Sequence, residues 1–319
     1  APAKCRTFII SSFPPTEIRY NRDMSKYQHV AVLMGGPSEE REVSLKSGAA
    51  VVEALRQAGY AVIGVDCRAD LDGLPANTEA VFVAIHGAFG EDGGVQSLLE
   101  ARGIPYTGTK AAAMPISFDK ITTKERLTAA GLPTAAYEVL GALDAPRMAV
   151  PLVVKAPRQG STIGLHVVMD AEKLEPALED ARRYDDRILV ETYIPGRELT
   201  AGILDGKPLP LVEIQPHEGH YDYEAKYTRG DTTYLVPAPL PEVLTRHIQE
   251  LALKAFALLD VRDLGRVDFR LNEAGELFIL EVNTIPGFTA TSLLPKAAAS
   301  QGIDFPTLCA QIMELASLT

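Results

Sequence analysis

The sequence predicts a doubly wound α/β domain followed by an α+β region built on antiparallel hairpins. Three observations predict it. Between residues 29 and 100, short continuous apolar runs alternate with stretches of helical periodicity, the pattern of a buried parallel sheet with crossover helices. Beyond residue 150 the strands instead come in pairs joined by short Gly-containing turns. Finally, residues 264–293 (LGRVDFRLNEAGELFILEVNTIPGFTATSL) form a hairpin pattern with one wholly apolar face and one charged face.

In that hairpin, strands 266–272 and 277–283 flank the turn Glu273-Ala274-Gly275-Glu276. Pairing Asn272 with Leu277 sets Asp268 opposite Glu281 and Arg266 opposite Asn283. It also sets Val267, Phe269 and Leu271 opposite Val282, Leu280 and Phe278. Directly opposed residues of antiparallel strands have Cβ atoms roughly 5 Å apart, and like charges so placed are destabilising. A solvated charged face accounts for most lone acidic pairs. Here the strand runs on into Asn283-Thr284-Ile285-Pro286-Gly287, a Gly-containing loop offering backbone N–H groups beside the acids. Two carboxylates and an amide oxygen are hard ligands that suit Mg²⁺ held jointly with phosphates.

The 319 residues suffice for two or three domains, and a hydrophobic fraction of 46% fits a globular protein. No run of about eighteen apolar residues exists, so no membrane span is expected. A net charge of −11 with both signs interspersed argues against nucleic acid as a partner. Cys5, Cys67 and Cys309 are scattered without metal-ligand spacing, as reduced thiols of a cytoplasmic protein would be.

In chain order, residues 1–24 lack periodicity and are expected to be an extension outside the fold, ahead of Met24-Ser25-Lys26. Residues 30–34, 61–65 and 80–85 read as parallel strands. A helix begins at Glu39-Glu40-Arg41-Glu42 and stops at Gly59. Ligands are expected at the carboxyl ends of these strands, where the loops carry Glu42 and His86. Gly35-Gly36 is not a dinucleotide fingerprint, and residues 103–110 (GIPYTGTK) have Thr and Lys in the wrong order for a phosphate loop. Residues 119–130 form a helix ended by Gly131-Leu132-Pro133. Residues 150–155 and 167–168 are strands around Pro157-Arg158-Gln159-Gly160-Ser161-Thr162-Ile163-Gly164, a loop whose N–H groups can cover phosphates, with Lys155 and Lys120 as nearby cations. A surface helix (171–184), a buried strand (187–193) and a hairpin around Asp205-Gly206 follow. The polar, aperiodic stretch 215–233 (QPHEGHYDYEAKYTRGDTT) reads as a lid or Ω-loop. Residues 244–259 and 305–318 are helices.

Seven segments in order then carry a resemblance: MGGPSEEREVSLKSG (34–48), HGAFGEDG (86–93), DKITTK (119–124), VVKAPRQGSTIG (153–164), YDYEAKY (221–227), GRVDF (265–269) and EVNTIPGFTATSLLP (281–295). The chain resembles the D-alanine–D-alanine ligases of the ATP-grasp superfamily from about residue 29 to its end. It departs at Ala156, Gln159 and Thr162, where Pro, Glu and Ser are usual, all within the phosphate loop. The resemblance implies an N-terminal Rossmann-like (pre-ATP-grasp) domain over 25–118 and a two-lobed ATP-grasp fold. The central lobe would span 119–201, and a C-terminal lobe with lid and metal site 202–319.

It also implies residue roles. Asp268, Glu281 and Asn283 would hold two Mg²⁺ ions (or Mn²⁺), with Glu281 bridging. Lys120, Lys155 and Lys226 would contact ATP, the Ser161 loop would cover its phosphates, and Glu191, Ile194 and Glu198 would line the adenine and ribose site. Glu42 would hold the ammonium of the first D-alanine, bonded with Ser161 and Tyr227 as the lid closes. Arg266 and the Gly287 N–H would stabilise the oxyanion, and Ser292 and Leu293 would receive the carboxylate of the second D-alanine. His86 is a further substrate-site residue and a candidate base, or simply a histidine hydrogen-bonded at a strand end. The implied reaction joins two D-alanine molecules through an acyl phosphate for peptidoglycan precursors, in a homodimer without nucleic-acid or membrane partners. Rival readings are a ligase using D-lactate as second substrate, which Tyr227 disfavours, and a non-catalytic nucleotide-binding protein. The latter is expected to have lost one of Asp268, Glu281, Asn283 or Arg266.

Overall fold

The computed structural model describes residues 25–142, 144–215 and 232–318. The N-terminal layer is a parallel sheet in the order β2-β1-β3, from β1 (His29–Gly35), β2 (Ala61–Cys67) and β3 (Ala80–Val83). Every residue of β3 is buried, which explains its unbroken apolar sequence. Helices α1 (Arg41–Gln57) and α2 (Gly94–Ala101) follow β1 and β3. After the short α3 (Met114–Phe118), α4 (Lys120–Ala129) starts at Asp119, whose carboxylate accepts from the Ile121 N–H at 2.9 Å as an N-cap.

The next layer is an antiparallel sheet in the order β4-β7-β5-β6. It comprises β4 (Tyr137–Leu140), β5 (Leu152–Lys155), β6 (Leu165–Val168) and β7 (Ile188–Thr192), with α5 (Leu174–Ala181) packed on it. The last sheet runs β11-β10-β8-β12-β13, with β9 added beside β8. Its strands are β8 (Arg197–Leu204), β9 (Lys207–Pro208), β10 (Val212–Gln215), β11 (Thr233–Leu235), β12 (Leu264–Leu271) and β13 (Leu277–Asn283). Helix α6 (Glu242–Leu258) covers one face, and α7 (Leu293–Ala299) and α8 (Phe305–Glu314) close the chain.

Four expectations are corrected. The lobe boundary at 201/202 cuts through β8, which pairs with β12 along its whole length from Arg197↔Leu271 to Leu204↔Leu264. The change of sheet falls in the turn between β7 and β8, because the turn residues Pro195-Gly196 end one strand and free the chain to cross. The central lobe 119–201 also holds α4, which packs elsewhere: Leu127 sits in the core of the last sheet with Phe269 and Ile279. Likewise α8 packs on the N-terminal domain, Leu308, Ile312 and Met313 sharing a core with Val51, Leu55 and Phe82. Residues 216–231 of the expected lid, Lys226 and Tyr227 among them, lie outside the described residues; its two ends are strand, with Gln215 paired to Thr233.

The fourth correction concerns the central hairpin. Asp268 does face Glu281, Arg266 faces Asn283 and Val267 faces Val282. Beyond them the register slips, so Phe269 pairs with Ile279 and Leu271 with Leu277, not with Leu280 and Phe278. The turn is one residue longer than expected, closed by the Asn272 N–H to Glu276 carbonyl bond (3.0 Å) with Gly275 at φ 82°. A β-bulge at Leu280 restores the count. The two offsets cancel at the acids. The bulge moves Phe278 and Leu280 off the apolar face, leaving Leu277, Ile279 and Val282 in the core and turning Leu280 toward the same cavity as Glu281.

Because Leu127 is fully buried in that core, Leu127→Ala is expected to lower unfolding free energy by about 2–5 kcal/mol. Urea denaturation measures it, and unchanged stability would detach α4 from the C-terminal core.

Candidate active site

Two cavities meet where the sheets converge. One, of about 130 Å³, is a slot between the two antiparallel sheets. Its apolar walls include Val153, Val167, Ile194 and Leu280, and its polar residues include Lys155, Glu191, Glu198 and Asp268. The flat apolar walls come from alternate residues of β5 and β6 and from the bulge. Glu198 is fixed by Arg270 at 2.9 Å. Glu191 is buried and ion-paired with both Lys155 and Lys124. Burial alone would raise its carboxyl, but Lys155 and then Lys124 outweigh burial and hold it below the usual glutamate value of 4.5.

The loop between β5 and β6 roofs this slot. It is pinned at its base by the Ala156 N–H to Gly164 carbonyl bond (2.9 Å) and by Lys120, whose N–H donates to Pro157 (3.1 Å). The Lys120 Nζ donates to the Gln159 carbonyl at 2.7 Å. Ser161 and Thr162 take positive φ values of 50° and 63°, each costing on the order of 1–3 kcal/mol outside glycine. Gly160 approaches the Glu40 carboxylate closely: a Cβ there would stand 2.5 Å from it, so that side chain would have to shift.

The opposed acids are both neutralised by side-chain cations. Arg266 donates to both oxygens of Asp268 at 2.8 Å, the pair being buried. Glu281 lies 3.3 Å from the Lys120 ammonium. Both acids line the slot, Glu281 and Asn283 line the neighbouring cavity, and the Asn283 Oδ1 accepts from the Ile285 N–H at 3.1 Å. Among the described residues no group of three His, Cys, Asp or Glu side chains forms a self-sufficient metal cage. Two opposed carboxylates plus an amide oxygen fit Mg²⁺, which normally completes its shell with phosphate oxygens and water.

The second cavity, of about 340 Å³, shares the wall Lys120, Gln159, Gly160, Ser161 and Glu281 with the first. Around it stand Glu40, Glu42, His86, Arg266, Gly287, Ser292 and Leu293. Here a sequence expectation is corrected. The Ser161 hydroxyl donates to the carboxylate of Glu40, not Glu42. Glu40 is buried at the start of α1, whereas Glu42 is exposed at the cavity rim. Helical spacing explains it: Glu40, Ser44, Ser47 and Val51 share the buried face of α1. The same periodicity, applied to the acidic run 39–42, would have found Glu40. Burial raises the Glu40 carboxyl above its ordinary 4.5, and Glu91 raises it further against the Ser161 hydrogen bond.

His86 is buried, its Nδ1 2.9 Å from the Ile285 carbonyl and its Nε2 3.1 Å from the Ser47 hydroxyl. A carbonyl only accepts, so Nδ1 carries the proton. Both ring nitrogens are engaged, which fits the hydrogen-bonded reading of His86 better than that of a base. Burial pushes the imidazole down, but Glu91 and Glu40 pull it above 6.5. Ser47, not foreseen from sequence, also accepts from the Phe288 N–H at 3.3 Å and so ties α1 to the Gly287 loop. The Ser292 hydroxyl accepts from the Thr289 N–H at 3.0 Å, at the start of α7.

A Rossmann-like domain beside two antiparallel sheets that close on a slot, with a Gly-containing roof loop and paired acids, is the ATP-grasp fold. Residues 127–314 match the family of the D-ala D-ala ligase C-terminus and residues 68–109 that of its N-terminus. The D-alanine--D-alanine ligase of Methylacidiphilum infernorum is 46% identical over 91% of this chain and 96% of its own. That of Syntrophotalea carbinolica is 46% identical over 93% and 99%. Among solved structures, the D-alanine--D-alanine ligase from Bacillus anthracis superposes with a TM-score of 0.82 at 33% identity, covering 90% of this chain and 97% of that one. Its complex with ATP gives 0.80 at 32% identity, covering 91% and 97%. The chain belongs to the D-alanine–D-alanine ligase family.

Followed by carbon NMR, the Glu40 carboxyl is expected to titrate above 4.5, and higher still in Ser161→Ala, which loses a bond favouring the ionised form. A folded value raised above the unfolded one means that this group's contribution to stability falls as pH rises through the folded value. Titration at or below 4.5 would contradict the burial and charge described.

Proposed function

We propose that the protein is an ATP-dependent ligase that joins two D-alanine molecules into D-alanyl-D-alanine, releasing ADP and phosphate. The observation that carries this reading is the wall shared by the two cavities. Lys120, Gln159, Gly160, Ser161 and Glu281 line both cavities, so a phosphate held at Lys120 and Glu281 would stand against a small substrate in the second cavity. Membership of the family supports the choice of amino acid.

The first D-alanine carboxylate attacks the γ-phosphorus, the bond to the β-phosphate oxygen breaks, and an acyl phosphate and ADP result. The second D-alanine's amine then attacks the acyl carbon and phosphate leaves. The chain supplies positioning and charge. Lys120 and Lys155 neutralise phosphate oxygens, and the roof loop covers them. Glu40 takes the ammonium of the first D-alanine, the part the sequence assigned to Glu42. Arg266 and the Gly287 N–H face the developing oxyanion, a donor contribution worth about 3 kcal/mol elsewhere. Ser292 and the Leu293 N–H, at the start of α7, receive the second carboxylate. Tyr227 and Lys226 belong to the same reading as lid residues that keep water from the acyl phosphate. Two Mg²⁺ ions, held by Asp268, Glu281 and Asn283, would supply charge neutralisation on the transferring phosphoryl group. A homodimer and a cytoplasmic location complete the reading. Among the described residues no helix is long and apolar enough to cross a membrane.

Phosphate release with ATP and Mg²⁺ against D- and L-amino acids and D-hydroxy acids tests it: D-alanine alone should support rapid release, with dialanine as product. Stronger release with a D-hydroxy acid as second substrate, or none with D-alanine, would overturn it. Glu40→Gln is expected to lower kcat/KM for D-alanine at least about 30-fold, the usual cost of cutting a buried charge contact. Glu42→Gln should stay within about threefold, since exposed charges contribute little; the reverse ranking would restore Glu42.

A further inference from the structure

Lys124 is among the most deeply buried charges of the described residues, and no role above uses it. Its side chain is 1% exposed and lines neither cavity. It lies one helical turn after Lys120 on α4, pointing into the junction of the two antiparallel sheets. Its ammonium is enclosed on three sides. Nζ is 2.5 Å from Glu191 Oε1, donates to the Thr134 hydroxyl at 2.6 Å, and stands 5.1 Å from the centre of the Tyr137 ring. Tyr137 is the register partner of Glu191 on β4 and β7, so the cage is fixed by strand pairing.

The Thr134 hydroxyl in turn donates to the Ile279 carbonyl at 2.9 Å, and the Ile279 N–H donates to Pro133 at 2.8 Å. Ile279 immediately precedes the bulge that aims Leu280 and Glu281 into the nucleotide slot. A continuous polar chain therefore links Glu191 on one wall of the slot to the bulge on the other.

We propose that Lys124 is a positioning residue for the nucleotide: it occupies one oxygen of Glu191 so that Lys155 retains charge for the ligand, and it holds the bulge in register. The inference rests on the nucleotide site described above. Its physical basis is a charge count. Glu191 with Lys155 alone is a neutral pair, in which the Lys155 ammonium is spent on the carboxylate. Adding Lys124 on the far oxygen leaves a net positive charge at the floor of a slot built for a polyanion, where low dielectric strengthens it. Burial lowers the Lys124 pKa, and the Glu191 carboxylate opposes that fall. Methionine at 124 would keep the packing volume and Glu191 would keep Lys155, so the fold should tolerate the change.

The test is calorimetric binding of ADP with Mg²⁺ to the full chain, with steady-state kinetics alongside. Lys124→Met is expected to weaken ADP binding and raise KM for ATP by about tenfold or more, with KM for D-alanine within about twofold. ADP affinity unchanged in Lys124→Met while the wild type binds would overturn this inference alone. Failure of the wild type to bind ADP would overturn the nucleotide site and the inference together. If Lys124→Met does not fold, Thr134→Val carries the test: about threefold to tenfold weaker ADP binding is expected, and unaltered affinity overturns the proposal.

Discussion

Two carboxylates face each other across β12 and β13, and the arrangement of the site follows from keeping them there. Left alone, Asp268 and Glu281 would push the strands apart. Arg266 on the same strand clasps Asp268 through both oxygens, and Lys120 reaches Glu281 from the start of α4. Those two cations come from different parts of the chain, so the acids also fix how α4 meets the last sheet. The contact continues in the apolar layer beneath, where Leu127 joins Phe269 and Ile279. Charge on one face and packing on the other thus select the same arrangement.

The acids also mark where two chemical environments join. On one side lies a slot with apolar walls and a floor of Lys155 and Glu191, with Lys124 buried behind Glu191. On the other lies a polar pocket bounded by the N-terminal domain and the Gly287 loop. The roof loop touches both, since Lys120 holds the Gln159 carbonyl and Ser161 reaches Glu40. Ser161 and Thr162 hold left-handed backbone conformations to make that reach. Strain of this kind persists where surrounding contacts over-determine it, and here the contact is a buried carboxylate of another domain.

Much of this was legible in the sequence. The parallel strands showed as continuous apolar runs, and the hairpin acids stood out because opposite faces of 266–283 differ so sharply. Asp268 stands against Glu281 as the alternation implies, although the turn is one residue longer than its composition suggests, because the bulge at Leu280 cancels the offset before the acids are reached. A bulge leaves no mark in an apolar run such as Phe278-Ile279-Leu280, where either alternate residue could be buried. Glu40 was hidden in an acidic run in which chemistry does not distinguish the members and only helix phase does. Nothing local marks Lys124 and Ser47, because their partners lie outside their own helices: Glu191, Thr134, His86 and Phe288. The lobe boundaries were misplaced for the same reason. Strand β8 and helices α4 and α8 each pack against elements distant in the chain, which local composition does not record.

The measurement that tests the central claim most directly is anomalous diffraction at the manganese edge, from crystals grown with Mn²⁺ and a non-hydrolysable ATP analogue. The account predicts anomalous density between the Asp268 and Glu281 carboxylates, beside the Asn283 side-chain oxygen and against the analogue's phosphates. Manganese bound elsewhere, with Asp268 and Glu281 turned away from the nucleotide, would contradict it.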